Sequence, residues 1–334
     1  MRNRLSFALV SLVAVATVVG GGTATAHGTS SPSALRVRAR VATGDLVGGL
    51  ASAGGFVWGV ATYPRQEVVQ IDPATNRVVA RIPLGGTPGP SQVAWITYGD
   101  GALWVSRSLA SEVDRIDPST RRITARVALD DPYDVAVAGS TVFVPQFDPY
   151  QWSTIDATTA SVTGSRPATG PSSAVVDNGA IWILAHRSKS ILRVDPATNT
   201  VTKQIPVSTG GGVPERLAAG FGSLWATDPR SSSIARIDEA SGKQVKEIKL
   251  PADPLWNPYP IATGAGFVWV GSDHGVGKID PATNRVVGSL ALANDNKTCG
   301  PATDYPCTDG IVYADHSVWV ADWNKRQVLR IAAP

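Results

Sequence analysis

Short apolar segments of five to eight residues alternate with polar turns along nearly the whole chain, and no stretch keeps a helical period over a useful length. In one such unit the segments are residues 92–98, 102–106, 112–116 and 122–129, which predict four short strands A to D. Gly99-Asp100-Gly101 between A and B, like Asp177-Asn178-Gly179 further on, supplies residues that tolerate positive φ and marks an antiparallel hairpin.

The unit repeats. An apolar-Trp pair recurs as Val57-Trp58, Leu103-Trp104, Ile181-Trp182, Leu224-Trp225, Val268-Trp269 and Val318-Trp319, with Val142-Phe143 in the remaining place, at spacings of roughly 40 to 50 residues. Seven copies of a four-stranded unit predict an all-β, seven-bladed β-propeller, with the Trp rings packed between blades. Asp-Pro-Ala-Thr-Asn recurs between C and D at residues 72–76, 195–199 and 280–284, where Asp bonds the backbone ahead and Asn takes the left-handed conformation. These aspartates read as turn formers, not catalysts.

The last copy stops after three strands, at Ile331. Its fourth is found near the other end of the chain, where Arg36 to Val41 matches the fourth-strand segments Arg77 to Ile82 and Arg122 to Val127. An N-terminal strand that completes the final blade closes the ring and removes an open sheet edge.

Residues 1–26 carry Arg2 and Arg4, then an apolar run, then Ala24-Thr25-Ala26, the order of a cleavable secretory signal. Residues 27–34 then read as a flexible N-terminus and 35–334 as one propeller domain, secreted and without a membrane span. The net charge of +3 falls further when the signal arginines leave, and no basic run remains, so nucleic acid is not an expected partner. The two cysteines, Cys299 and Cys307, share one polar segment and predict a local disulfide.

The repeats resemble the YVTN-type propeller family, which takes in YncE-like and virginiamycin-B-lyase-like proteins. The likeness is carried by Leu103-Trp104-Val105-Ser106, Val268-Trp269-Val270-Gly271 and Val318-Trp319-Val320-Ala321, and it covers essentially the chain beyond the signal. The lyase repeat reads Leu-Trp-Phe-Thr-Glu, and the resemblance implies acidic and histidine side chains around a divalent metal. No copy here ends in Phe-Thr-Glu; the nearest is Leu224-Trp225-Ala226-Thr227-Asp228, so Asp228, Asp273 and His274 are the candidate metal ligands, with Asp273 and His274 the candidate catalytic pair.

Ligands of propellers meet the face formed by the D-to-A and B-to-C loops, which here are long, aromatic and charged. Positions just beyond each anchoring aromatic offer Arg107, Gln146, Phe147, His186, Asp228, Asp273, Asp322 and Trp323. The D-to-A loops add Asp131, Tyr133, Glu215, Arg216, Trp256, Tyr259, Asp304, Tyr305 and Asp309. Trp152, Trp256 and Trp323 depart from the repeating Trp register and carry most weight as ligand contacts. Rings mixed with a few polar groups suit a peptide, glycan or small molecule. No Gly-x-Ser-x-Gly elbow and no glycine-rich phosphate loop is present. The expected function is therefore a secreted, non-enzymatic binding module that needs no cofactor. The alternatives are a metal-assisted lyase or hydrolase acting on a lactone-like or cyclic substrate, and an envelope scaffold for another protein.

Overall fold

The computed structural model describes residues 33–89, 94–255, 257–293 and 307–333. Seven antiparallel sheets follow one another in chain order, each with four strands except the sixth, which has five. Blade 2 is typical: strands Ala94–Gly99, Ala102–Arg107, Glu112–Asp117 and Arg122–Ala128 pair in sequence. The ring closes as expected. Val37–Ala42 pairs antiparallel with Gln327–Ala332 as the fourth strand of blade 7, with Val37 opposite Ile331 and Val41 opposite Val328. Just before it, Ser33–Ala34 runs parallel to the outer strand of blade 6 and adds the fifth strand there.

The repeating Trp has a structural job that its position explains. Trp58, Trp104, Trp182, Trp225, Trp269 and Trp319 lie on the second strand of their blades and are at most 2% exposed. In four of them the indole Nε1–H donates to the carbonyl five residues earlier, on the first strand: Trp58 to Ala53, Trp225 to Gly220, Trp269 to Gly264 and Trp319 to Ala314. Directly across on the third strand stands a cation, Arg115, Arg193, Arg236, Lys278 or Arg330, with its charged group 4.8 to 5.9 Å from the ring centroid. Five of the seven blades thus set a cation over the ring, whereas Gln70 stands opposite Trp58 in blade 1 and Thr154 opposite Phe143 in blade 3.

The C-to-D turns behave as their residues require. Asn76, Asn199 and Asn284 take φ of 54°, 52° and 56°, and Asp72, Asp195 and Asp280 accept the amide N–H two residues on at 2.8 Å. No described helix is long and apolar enough to cross a membrane. The expected signal at 1–26 lies outside the described residues, as do 27–32 of the expected flexible 27–34, whose last two residues form the strand Ser33–Ala34, and Trp256, Asp304, Tyr305 and Cys299, the expected partner of the buried Cys307.

Candidate functional site

The starts of the first strands meet around the ring axis, and there a single cation is enclosed. Arg216 opens the first strand of blade 5 and is 3% exposed. Its guanidinium carbon lies 3.7 Å from the Trp95 ring centroid, 4.8 Å from Tyr259 and 5.1 Å from Tyr133, so blades 2, 3 and 6 each lend it an aromatic face. It donates to the Tyr259 hydroxyl at 2.7 Å and to the Ser172 carbonyl at 2.9 Å, and Asp134 stands 3.9 Å away. Asp134 in turn accepts the amides of Val135 and Ala174, which fixes it between blades 3 and 4. Burial opposes the charge of Arg216, but Tyr259, Tyr133, Asp134 and Asp309 around it more than compensate, and the guanidinium stays protonated. A cavity of about 160 Å³ lies against this cluster, walled by Trp95, Asp134, Ser173, Arg216, Leu217 and Ile311.

Asp309, on the first strand of blade 7, lies near enough to Arg216 for the two charges to act on each other. A Cβ at Gly48 would come within 3.0 Å of its carboxylate, so the first strand of blade 1 passes close only because that residue is glycine. Burial pushes the Asp309 carboxyl up to about 7, with Arg216 pulling against it. Because the folded value exceeds the unfolded one, the folded protein holds an extra proton between about pH 4 and 7, and stability falls as pH rises through that window. The difference is worth at most roughly 4 kcal/mol, and less here because the side chain is only partly shielded. Asp309→Asn should therefore match the parent near pH 4 and exceed it by about 1–2 kcal/mol near pH 8 in urea denaturation. Parallel pH profiles for the two proteins would refute the assignment.

Beside this cluster, on the loop face of blades 3 to 5, lies a cleft of about 570 Å³. One wall is a ring stack. Tyr133 and Phe147 lie 5.6 Å apart at 30°, and Phe147 and His186 lie 5.4 Å apart at 10°. Local hydrogen bonds set this register: the Tyr133 amide donates to Pro145 O, and the Phe147 amide donates to Asp131 O, so the loop into blade 3 is sewn to the end of that blade's second strand. His186 begins a 3₁₀ turn, His186–Ser188, ended by Lys189 at φ 47°. That turn carries Arg187 out over the stack, 5.6 Å from the Phe147 centroid and 4.8 Å from Tyr150. Val213, Glu215 and Arg230 complete the lining. Burial, helped by the charge of Arg187, lowers the His186 pKa and keeps it neutral. Burial raises the Glu215 carboxyl against the pull of Arg216 and Arg230.

The expected ligand contacts divide sharply. Phe147 and His186 line the cleft, and Tyr259 belongs to the axial cluster. Trp152, expected on the loop face, is instead 2% exposed within the third strand of blade 3, and its Nε1–H donates to Asn199 of the next blade. Trp323 is likewise buried, bonding the Val47 carbonyl of blade 1. Arg107, Gln146, Asp228 and Asp322 do not converge on a shared pocket. Each is buried: Arg107 on Asp114 and Glu112, with bonds to Gln66 of blade 1 and the Gly85 carbonyl, Gln146 on Ser153 and the Asp130 carbonyl, Asp228 on the Ser231 amide and Asp322 on Gln327. A side chain at the inner end of a second strand turns into the blade because the first strand stands between it and the axis.

The expected metal set also fails to assemble. Asp273 is fully buried and accepts from Asn257 Nδ2 at 2.8 Å and from the Cys307 amide at 3.1 Å, so it ties blade 6 to the start of blade 7. Asp228 belongs to blade 5 and packs against Gly212, where a Cβ would collide with its carboxylate. Among the described residues no three His, Cys, Asp or Glu side chains are grouped to hold a metal ion, and Asp228, Asp273 and His274 do not fit one. Sequence reasoning missed Trp95, Asp134, Arg187 and Arg230. The two arginines carry a signal: each stands five residues after its blade's Trp, one position beyond His186 and two beyond Asp228.

Two solved structures share the architecture. Virginiamycin B lyase from Staphylococcus aureus, in selenomethionine form, has a TM-score of 0.69 at 17% identity over 86% of this chain and 94% of that one. This chain is similar to it in fold. A catalytically inactive histidine-to-alanine variant of virginiamycin B lyase from the same organism, solved with quinupristin, has a TM-score of 0.72 at 15% identity over 89% and 99% of the two chains. No family model and no curated protein matches the sequence, so the YVTN-type likeness rests on the repeat motifs themselves. At such identities the lyase likeness covers the propeller and does not extend to the side chains of the cleft.

Proposed function

We propose that the protein is an exported binding module whose loop-face cleft holds a small ring-bearing or amphiphilic ligand. The observation that carries this reading is the rigid stack Tyr133–Phe147–His186 forming one wall of a cleft of about 570 Å³, a volume in the range of small-molecule sites. Stacked rings offer contact area with little entropy left to lose, and Glu215, Arg187 and Arg230 orient what lies on them. Export rests on the signal-like residues 1–26.

The test is a screen of short peptides, oligosaccharides and small amphiphiles by saturation-transfer NMR. Ligands found should lose about tenfold or more in affinity for Phe147→Ala, about 1.4 kcal/mol, while the circular dichroism spectrum is unchanged. Ligands that ignore Phe147 would place the site elsewhere.

A second reading, a lyase acting on a cyclic substrate, is supported by the fold of the two neighbours. Incubation with virginiamycin B and magnesium, followed by chromatography of the parent compound, separates the readings. Turnover would favour the lyase.

A further inference from the structure

We infer that the cleft selects ligands joining a flat apolar body to a carboxylate, with Arg187 and Arg230 gripping the carboxylate and the edges of Tyr133 and Phe147 bearing the body. The inference rests on the cleft being the binding site proposed above, and it adds the ligand's chemical class.

Its basis is an imbalance of charge in a place already shaped. Arg187 and Arg230 make no ion pair and no hydrogen bond with any described residue. Some exposed arginines are paired, as Arg65 is with Asp45 at 2.7 Å and Arg126 with Glu112 at 2.8 Å; others, such as Arg77, Arg122 and Arg285, make no ion pair with a described residue, but none of these lies over an aromatic ring. Arg187 is nonetheless held in place, because its guanidinium lies over Phe147 and Tyr150. A guanidinium held against rings rather than against acids keeps N–H donors for a partner, and its planar fork matches a carboxylate through two parallel hydrogen bonds.

Against these two cations the lining offers one acid, Glu215, whose carboxylate makes no hydrogen bond or close ion pair with a described residue, although Arg216 and Arg230 act on its charge. His186 adds no charge, since burial and Arg187 keep it neutral. Burial further favours the neutral form of Glu215. The cleft is therefore net positive, on a wall of rings that suits an apolar surface. A lone inorganic anion would leave that wall unused, and a neutral ring would leave both guanidinium edges unmet.

The test uses indole-3-acetate, phenylacetate and 3-phenylpropionate, each beside its primary amide, with inorganic phosphate as the bare-anion control. Binding is read by saturation-transfer NMR at millimolar concentration on the chain as it exists. Each acid should bind at least about tenfold more tightly than its amide, and Arg187→Gln or Arg230→Gln should bring acid down to amide. Both arginines line an open surface, so an unchanged melting temperature is the control for folding. Equal binding of acids and amides with Phe147-dependent contacts would overturn the carboxylate inference and leave the cleft reading standing. Phosphate competing as strongly as the acids, with the amides silent, would show a bare anion site and overturn it too. If no acid binds, the inference falls; the cleft reading falls with it only if ligands from the wider screen also ignore Phe147.

Discussion

A chain beginning at Thr43 is expected to be at least about 3 kcal/mol less stable than one beginning at Ser33, read as a lower urea midpoint. The difference between the two is the short strand Ser33–Ala34 on blade 6 and, chiefly, the closing strand Val37–Ala42, whose pairing partner Gln327–Ala332 would become an open edge. Val328, Leu329 and Ile331 on that edge are fully buried in the closed ring. Admitting water to even half of each costs roughly 1 kcal/mol apiece. The ladder hydrogen bonds lost and the chain entropy no longer spent on ordering residues 33–42 are of similar size and opposite sign. Val41, itself 2% exposed, adds its own burial to the loss. A synthetic peptide spanning residues 33–43, added back, should restore part of the stability by re-forming the strand. Equal midpoints for the two chains would refute closure as a source of stability.

Arg216→Met should be the most damaging single substitution at the axis, at about 3–5 kcal/mol near pH 8. Methionine keeps most of the length and the contact with Trp95, Tyr133 and Tyr259, so packing alone changes little. What is lost is the one cation among the described residues that acts on both Asp134 and Asp309, both already pushed toward the neutral form by burial. The damage should shrink near pH 4, where both carboxyls can hold their protons without a cation. Measuring urea stability at the two pH values separates this account from simple mispacking, which predicts the same loss at both. A variant as stable as the parent near pH 8 would mean that the axial cation is not needed.

The axial cluster and the cleft differ in how they relate to burial. Arg216 is met on several sides by fixed partners and acts as a rivet joining blade 5 to blades 2, 3, 4 and 6. Arg187 and Arg230 stand at the rim with their hydrogen-bonding edges unspent. Exposed cations without partners are cheap for stability and useful for recognition, whereas a buried one must be fully answered.

Much of this protein is written in its local pattern. Strand count, blade count, the C-to-D turns at Asn76, Asn199 and Asn284, and the pairing of Arg36 to Val41 with the last blade all follow from repetition and from residues with narrow conformational preferences. These are readable because a propeller blade is a local object, built from neighbours in sequence. The loop residues Tyr133, Glu215, Arg216, Tyr259 and Asp309 also stand out along the chain, since they break the repeat.

Which side chains meet is a different matter, because it depends on blades far apart in sequence and on the direction each side chain takes from its strand. Trp152 and Trp323 break the Trp register and yet are core, since their strands turn them toward a neighbouring blade. Asp228 and Asp273 stand near each other in a repeat alignment but serve separate loops. Trp95 looks like any strand residue until the closed ring brings it within 3.7 Å of Arg216. Chain pattern determines the ring; only closing the ring determines what faces its axis, because those contacts join residues from different blades, such as Arg216 with Tyr259 and Trp95, and no local preference encodes them.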